Sequence, residues 1–192
     1  MKRRTAIGRI FLTALGGGLA FSGYKWYDYT KTPDIVYLEQ HRQFIASLSE
    51  TILPASAGSP GAREAGAGEF IVNMIKDCTD RISANKFIDG LKELDQYSQG
   101  HYGHPYEQCA ENEQIAILQH FQEKGRPFRG IIGKAQDKYL GRSFFTTLKA
   151  YTVAGYCTSQ AGATKGLAYA LVPGSYQACI PKLPGQKAWA TK

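Results

Sequence analysis

The sequence predicts an all-α fold, a single bundle of about five helices followed by an irregular Pro/Gly/aromatic C-terminal arm. Three observations carry that prediction. Five stretches repeat apolar residues at helical spacing, and no stretch alternates with period two. The texture then changes after Gly162, where VPGSYQACIPKLPGQKAW has no helical period. At 192 residues the chain is long enough to bury one core of its own. Its 43% hydrophobic and 20% charged residues are ordinary for a globular protein, so disorder is not the default.

The first helix is expected from about Asp34 to Leu53, with Asp34 as N-cap and Leu38, Ile45, Leu48 and Ile52 on one stripe. The second, about Arg63 to Asp77, aligns Phe70, Met74 and Cys78 beside Ile71 and Ile75. The third starts near Ser83 and buries Phe87, Ile88, Leu91 and Leu94. The fourth spans about Glu111 to Glu123, with Ile115, Leu118 and Phe121 or Gln122 along its inner edge. The fifth and longest runs from about Ala135 to Thr158 and holds Tyr139, Phe144, Leu148 and Tyr151. PASAGSPG (54–61), GHYGHP (100–105) and GRPFRG (125–130) break the helices between them. The arm is read as lying over its own bundle, with wrapping of a partner as the alternative.

The N-terminus reads as an address. Lys2, Arg3, Arg4 and Arg9 precede or begin an apolar, Gly-rich run from Ile10 to Phe21, and Ala20-Phe21-Ser22 offers a small-x-small cleavage site. The run is short for a membrane span, which needs about 20 apolar residues. Residues 1–22 are therefore assigned as an export signal, 23–36 as a linker and 37–192 as the helical domain. Arg3-Arg4 points to the twin-arginine translocase, which carries folded cargo. The expected location is the periplasm. An uncleaved anchor, with Tyr24, Trp26, Tyr27 and Tyr29 as an interfacial belt, would instead hold the chain at the membrane.

Those four basic residues supply four of the seven net positive charges, leaving +3 on the remainder. That excess is spread out, with no basic block interleaved with aromatics, so no nucleic-acid partner is expected. Cys78, Cys109, Cys157 and Cys179 are widely spaced, without C-x-x-C or C-x-x-C-H. Behind an export signal they read as two disulfides. Three pairings are open, and Cys78–Cys109 with Cys157–Cys179 is preferred because each joins neighbouring elements.

Nothing in the sequence reads as a catalytic, cofactor-binding or metal site. It lacks a dinucleotide fingerprint, a P-loop, a nucleophile elbow and H-E-x-x-H. His101-x-x-His104 with Cys109 is the one metal-like cluster, but it lacks an evident fourth ligand and competes with a disulfide at Cys109. These are read as loop histidines. His41 and His120 stand alone on helices, and Glu64, Glu69, Asp89, Glu93 and Asp95 are spaced as a solvated face.

Two stretches carry a family resemblance: LSETILPASAGSPGAREAGAGEFI (48–71) and FFTTLKAYTVAGYCTSQAGATKGLAYALVPGSYQACIP (144–181). They resemble the gluconate 2-dehydrogenase subunit 3 family, with its I-x-P…T/S-P-G-A-x-x-A-G turn and its G-Y-aromatic-T-S-x-x-G…Y…V-P-G-x-Y ending. The first motif falls on Ile52, Pro54, Ser59, Pro60, Gly61, Ala62, Ala65 and Gly66. The second falls on Gly155, Tyr156, Thr158, Ser159, Gly162, Tyr169, Val172, Pro173, Gly174 and Tyr176. Cys157 departs from the pattern, standing where an aromatic is usual, which supports a Cys157–Cys179 bridge. The residues after Arg3-Arg4 are also softer than a twin-arginine signal prefers.

The resemblance implies a non-catalytic small subunit of a periplasmic or membrane-associated FAD-dependent sugar dehydrogenase. It would escort and stabilise a large flavoprotein, which carries the FAD, and a cytochrome c subunit often completes such complexes. A free-standing exported helical binding module is the alternative. The interface with the large subunit is expected at Pro54, Pro60, Gly61, Gly155, Tyr156, Ser159, Tyr169, Pro173, Gly174 and Tyr176. There Tyr, Pro and Gly exceed what a bundle needs.

Overall fold

The computed structural model describes residues 29–126, 141–172, 174, 179, 181 and 184–190. The expected export signal, with Arg3 and Arg4, lies outside them, as do the 135–140 part of the expected fifth helix, Pro173 and Tyr176. Among the described residues the fold is all-α, with two isolated bridges and no strand. None of the described helices is long and apolar enough to cross a membrane.

Helix α1 (Ile35–Gln40) opens on the expected cap, with Tyr37 N donating to Asp34 Oδ1 at 3.0 Å. The expected continuous first helix is interrupted at His41, whose backbone leaves helical geometry at φ −101° and ψ 22°. His41 Nδ1 donates to the Tyr37 carbonyl at 2.7 Å and its ring stacks on Tyr37. The backbone bonds from His41 N to the Tyr37 carbonyl and from Ile45 N to the His41 carbonyl persist, and α2 (Arg42–Ile52) restarts one residue on. It buries Phe44, Ile45 and Leu48.

The second segment is helical later than expected. Residues 63–66 form turns, Gly66 takes the left-handed conformation at φ +72°, and α3 runs Ala67–Asn73. It widens into a π turn, Met74–Cys78, closed by Thr79 Oγ1 donating to the Met74 carbonyl at 2.8 Å. Helix α4 (Arg81–Tyr102) is capped by Asp80 and ended by Gly103 at φ +79°. After a 3₁₀ turn (Tyr106–Gln108), α5 covers Glu111–Lys124 and α6 covers Phe144–Thr158. On α5 the inner residues are Ile117, Leu118 and Phe121, whereas Ile115 is 42% exposed. Ile115 is spaced i, i+3 with Leu118 and Ile117 i, i+4 with Phe121, so both fit a helical period and the neighbours decide between them. Residues 141–143 are not helical: Gly141 sits at φ +74° and Ser143 caps α6.

Helices α3 and α6 make the most extensive pairing, and α2 packs on α3 while also meeting α6. Close approach is set by small residues. A Cβ on Gly68 would stand 2.9 Å from the Ala46 Cα, so α2 and α3 nearly touch backbone to backbone. The core is Leu38, Phe44, Ile45, Leu48, Ile71, Ile75, Phe87, Leu91, Leu94, Ile117, Phe144 and Leu148, with Phe87, Phe121 and Phe144 in ring contact. The described end of the linker is docked on this domain, because Asn85 Nδ2 donates to the carbonyls of Tyr29 and Lys31.

Tyr106 is fully buried and donates to Thr51 Oγ1 at 2.8 Å. Burial pushes its pKa up from 10.0 to about 12, against the lowering effect of that bond. The folded state therefore holds a proton that the unfolded chain releases first, and stability falls as pH rises from 10 to 12. The expected loss is about 2–3 kcal/mol. Denaturant titrations across that range should show a larger drop in the wild type than in Tyr106→Phe, where the raised pKa of Tyr37 still contributes. An equal drop in both would remove Tyr106 as the cause.

None of the four cysteines is bonded to another in the structure, so the expected disulfides are not seen there. Cys109 is buried, with its Sγ 3.2 Å from Ser98 Oγ and 3.5 Å from His104 Nδ1, whereas Cys78 is exposed on the π turn. Cys109 thus turns into the α4–α5 connection instead of toward Cys78. Cys157 and Cys179 are both exposed and unbonded.

Candidate partner interface

The two motif-bearing stretches, about a hundred residues apart in sequence, meet at one corner of the bundle. The loop after α2 is fastened by one carboxylate. Glu50 Oε1 accepts from Ala55 N at 3.1 Å and its Oε2 accepts from Arg63 N at 2.7 Å, so both ends of the loop hang from α2. Ala62 N donates to the Leu53 carbonyl at 2.9 Å, and Ser56 and Ser59 exchange both backbone bonds across Ala57-Gly58. Gly58, at φ +83°, supplies the left-handed residue that this tight turn requires.

The end of α6 is built as a corner. Ser159 leaves the helix with ψ 151° while its N–H still donates to the Gly155 carbonyl. Its hydroxyl donates back to the Tyr156 carbonyl at 2.8 Å and accepts from Gly162 N at 2.9 Å. One serine therefore ends α6 and caps the π turn Gly162–Gly166 that follows. The joint closes where Ser59 Oγ meets Tyr156 OH at 2.7 Å. Exposed Lys165 pairs with Glu64 at 3.1 Å, a solvent-screened contact worth little by itself.

The arm then doubles back on the joint. Ala168 pairs with Trp189, through Ala168 N to Ala188 O and Ala190 N to Ala168 O, both at 2.8 Å. Lys187 Nζ donates to the Gly58 carbonyl at 3.1 Å and also to the Lys165 carbonyl. Residues 184–190 of the arm thus fold back on its start and touch the loop at Gly58. Beyond the bridge, Tyr169 is 47% exposed, Leu171 and Val172 are each 81% exposed, and Trp189 is 55% exposed.

The expected interface residues divide by burial. Pro60, Gly61, Gly155 and Tyr156 are buried and their contacts lie within the chain, where they form the joint. Gly61 leaves room for the Glu50 carboxylate, and Gly155 for the Phe70 ring. Ser59 and Ser159 are half-buried. Pro54, Tyr169 and Gly174 are exposed, and Pro173 and Tyr176 lie outside the described residues. Leu171, Trp189, Glu50 and Lys187 were not singled out by sequence. Leu171 was legible as an apolar residue in a segment without helical period.

Tyr156→Phe removes one hydroxyl of the joint and leaves Ser59 half-buried. The expected loss is about 1 kcal/mol, read as a lower thermal midpoint. An unchanged midpoint would mean that the joint stands on its packing alone.

His101 stacks on Tyr97 at a ring separation of 3.9 Å, away from the other metal-type side chains. His120 stacks on the same tyrosine at 4.5 Å. His104 instead joins Cys109 and Glu113, and the ligand-type atoms of these three lie within 4.8 Å of one another.

A family model described as Gluconate 2-dehydrogenase subunit 3 matches residues 39–174, most of the helical domain. No curated protein and no solved structure matches the chain.

Proposed function

The chain belongs to the gluconate 2-dehydrogenase subunit 3 family, and from that premise we propose that it is the non-catalytic small subunit of an FAD-dependent sugar dehydrogenase. In this reading it docks on a large flavoprotein subunit, which holds the FAD, and it carries the export signal for both. A cytochrome c subunit is a further partner where electrons leave the complex. The complex works in the periplasm or at its membrane face.

The observation that carries the docking half is the solvent-facing run Tyr169, Leu171 and Val172, set on a braced corner. An isolated subunit has little reason to hold two large aliphatic side chains 81% exposed beside a tyrosine and a tryptophan. The brace fixes the chain as far as Ala168, just before that run, which limits the ordering needed on binding. The match of the family model spans both halves of the joint, including Ser59 and Tyr156.

The export half rests on Arg3-Arg4. A flavoprotein folds around its FAD before export, so its route must pass folded cargo. Two guanidinium groups are planar, fixed-geometry recognition elements that ammonium groups reproduce poorly. Arg3→Lys with Arg4→Lys is therefore expected to strand both the chain and the flavoprotein in the cytoplasm, as read by cell fractionation. Normal periplasmic flavoprotein in the double variant would reject the escort role. Recovery of the tagged chain as a colourless monomer, with no flavoprotein, would reject the subunit role and favour a free-standing module.

A further inference from the structure

We propose that His104, Cys109 and Glu113 form a binding site for a zinc-class divalent cation that staples the α4–α5 connection. The site is separate from the joint and from the exposed arm, and its chemistry does not depend on the dehydrogenase reading. Cys109 Sγ and His104 Nδ1 are 3.5 Å apart. Tetrahedral zinc with its usual bond lengths, about 2.3 Å to sulfur and about 2.0 Å to nitrogen, needs a sulfur–nitrogen edge of about 3.5 Å. The pair thus already has ligand spacing. Glu113 completes a set in which all three donor atoms lie within 4.8 Å of one another. A rotation of its half-buried side chain closes the remaining gap.

The backbone holds these donors in place. His104 sits between Gly103, the left-handed residue that ends α4, and Pro105, whose φ is fixed. Ser98 on α4 donates to the His104 carbonyl at 2.9 Å. Cys109 ends the 3₁₀ turn, and its carbonyl accepts from Gln114 Nε2 at 3.2 Å. Glu113 is the third residue of α5 and reaches back to Ala110 N with Oε2 at 2.9 Å, leaving Oε1 for a ligand role.

One thiolate, one imidazole and one carboxylate are the donor types that zinc takes, and water fills the fourth position of such three-residue sites. Cys109 is only 7% exposed, which shields the thiolate from solvent. A cation here ties the last turn of α4 to the first of α5, so binding adds directly to folding stability.

The test uses the full chain, with any subunits that accompany it, stripped by chelator under reducing conditions and dialysed against Zn(II) alone. Elemental analysis should find one more zinc per chain in the wild type than in Cys109→Ser. Zn(II) should raise the thermal midpoint of the wild type but not of that variant. Glu113→Gln keeps the backbone bond of the α5 cap, since Gln also serves there, and should weaken binding at least about tenfold. His104→Gln serves as a second ligand variant if Cys109→Ser fails to fold. Co(II) difference spectra should show thiolate-to-cobalt charge transfer in the wild type alone. Equal zinc in the wild type and all ligand variants, a cobalt complex without the thiolate band, or Cys109 mapped to a disulfide would each overturn the site.

Discussion

Replacing Leu171 and Val172 together with Asp is expected to abolish association with the proposed flavoprotein subunit while leaving the thermal midpoint of the isolated chain unchanged. Both side chains are 81% exposed in the chain alone, so they contribute almost nothing to its core. Covering them with a partner would release about 1.5–3 kcal/mol each from apolar burial. The aspartates reverse this, because each carboxylate would have to leave water without a counter-charge. Together the two changes should weaken the complex by at least about 4 kcal/mol, roughly a thousandfold. Co-purification from cells and titration calorimetry would read the binding, and circular dichroism melts would read the fold. Full-strength complex formation by the double variant would place the interface elsewhere. A lowered midpoint without a binding defect would mean that these residues pack on the chain itself.

How far the sequence could be read depended on the range of the interactions involved. Helix existence was legible because apolar spacing is local: Phe87, Leu91 and Leu94 lie on the buried side of α4 as their period requires. The break at His41 was hidden, since Leu38, Ile45 and Leu48 keep their helical stripe across it and all three are buried. A side-chain bond to the Tyr37 carbonyl accompanies it, which composition does not reveal. The choice of Ile117 over Ile115 came from packing neighbours, not from period. The candidate interface shows the same division. Its Gly, Pro and Tyr were conspicuous, but whether each faces solvent or the joint depends on a contact between Ser59 and Tyr156, 97 positions apart. Glu113 was missed as a possible ligand because it reads as an ordinary first-turn helix acid.

Gly162→Ala should be the most destabilising methyl group that can be added to this corner. A Cβ there would stand 2.9 Å from the Tyr156 carbonyl carbon and closer still to its oxygen, with Ser159 Oγ at 3.0 Å. The obstacle is backbone, not the free end of a side chain, so no rotamer change relieves it. The Tyr156 carbonyl also accepts the Ser159 hydroxyl at 2.8 Å, and Gly162 N donates to that same hydroxyl at 2.9 Å. Moving the carbonyl therefore breaks the corner that ends α6 and begins the π turn. The expected cost is about 3 kcal/mol, the upper part of the overpacking range. The consequence should extend beyond stability. Gly166, four residues on, packs against the Tyr156 ring, and the chain from there leads directly to Ala168 and the exposed Tyr169. Gly162→Ala should thus weaken partner binding without altering an exposed residue. Leu171→Asp with Val172→Asp should do the opposite, removing binding at unchanged stability. Measuring both the thermal midpoint and the affinity in both variants separates brace from surface. If Gly162→Ala melts like the wild type, the corner tolerates a Cβ and its tight geometry is not what positions the arm.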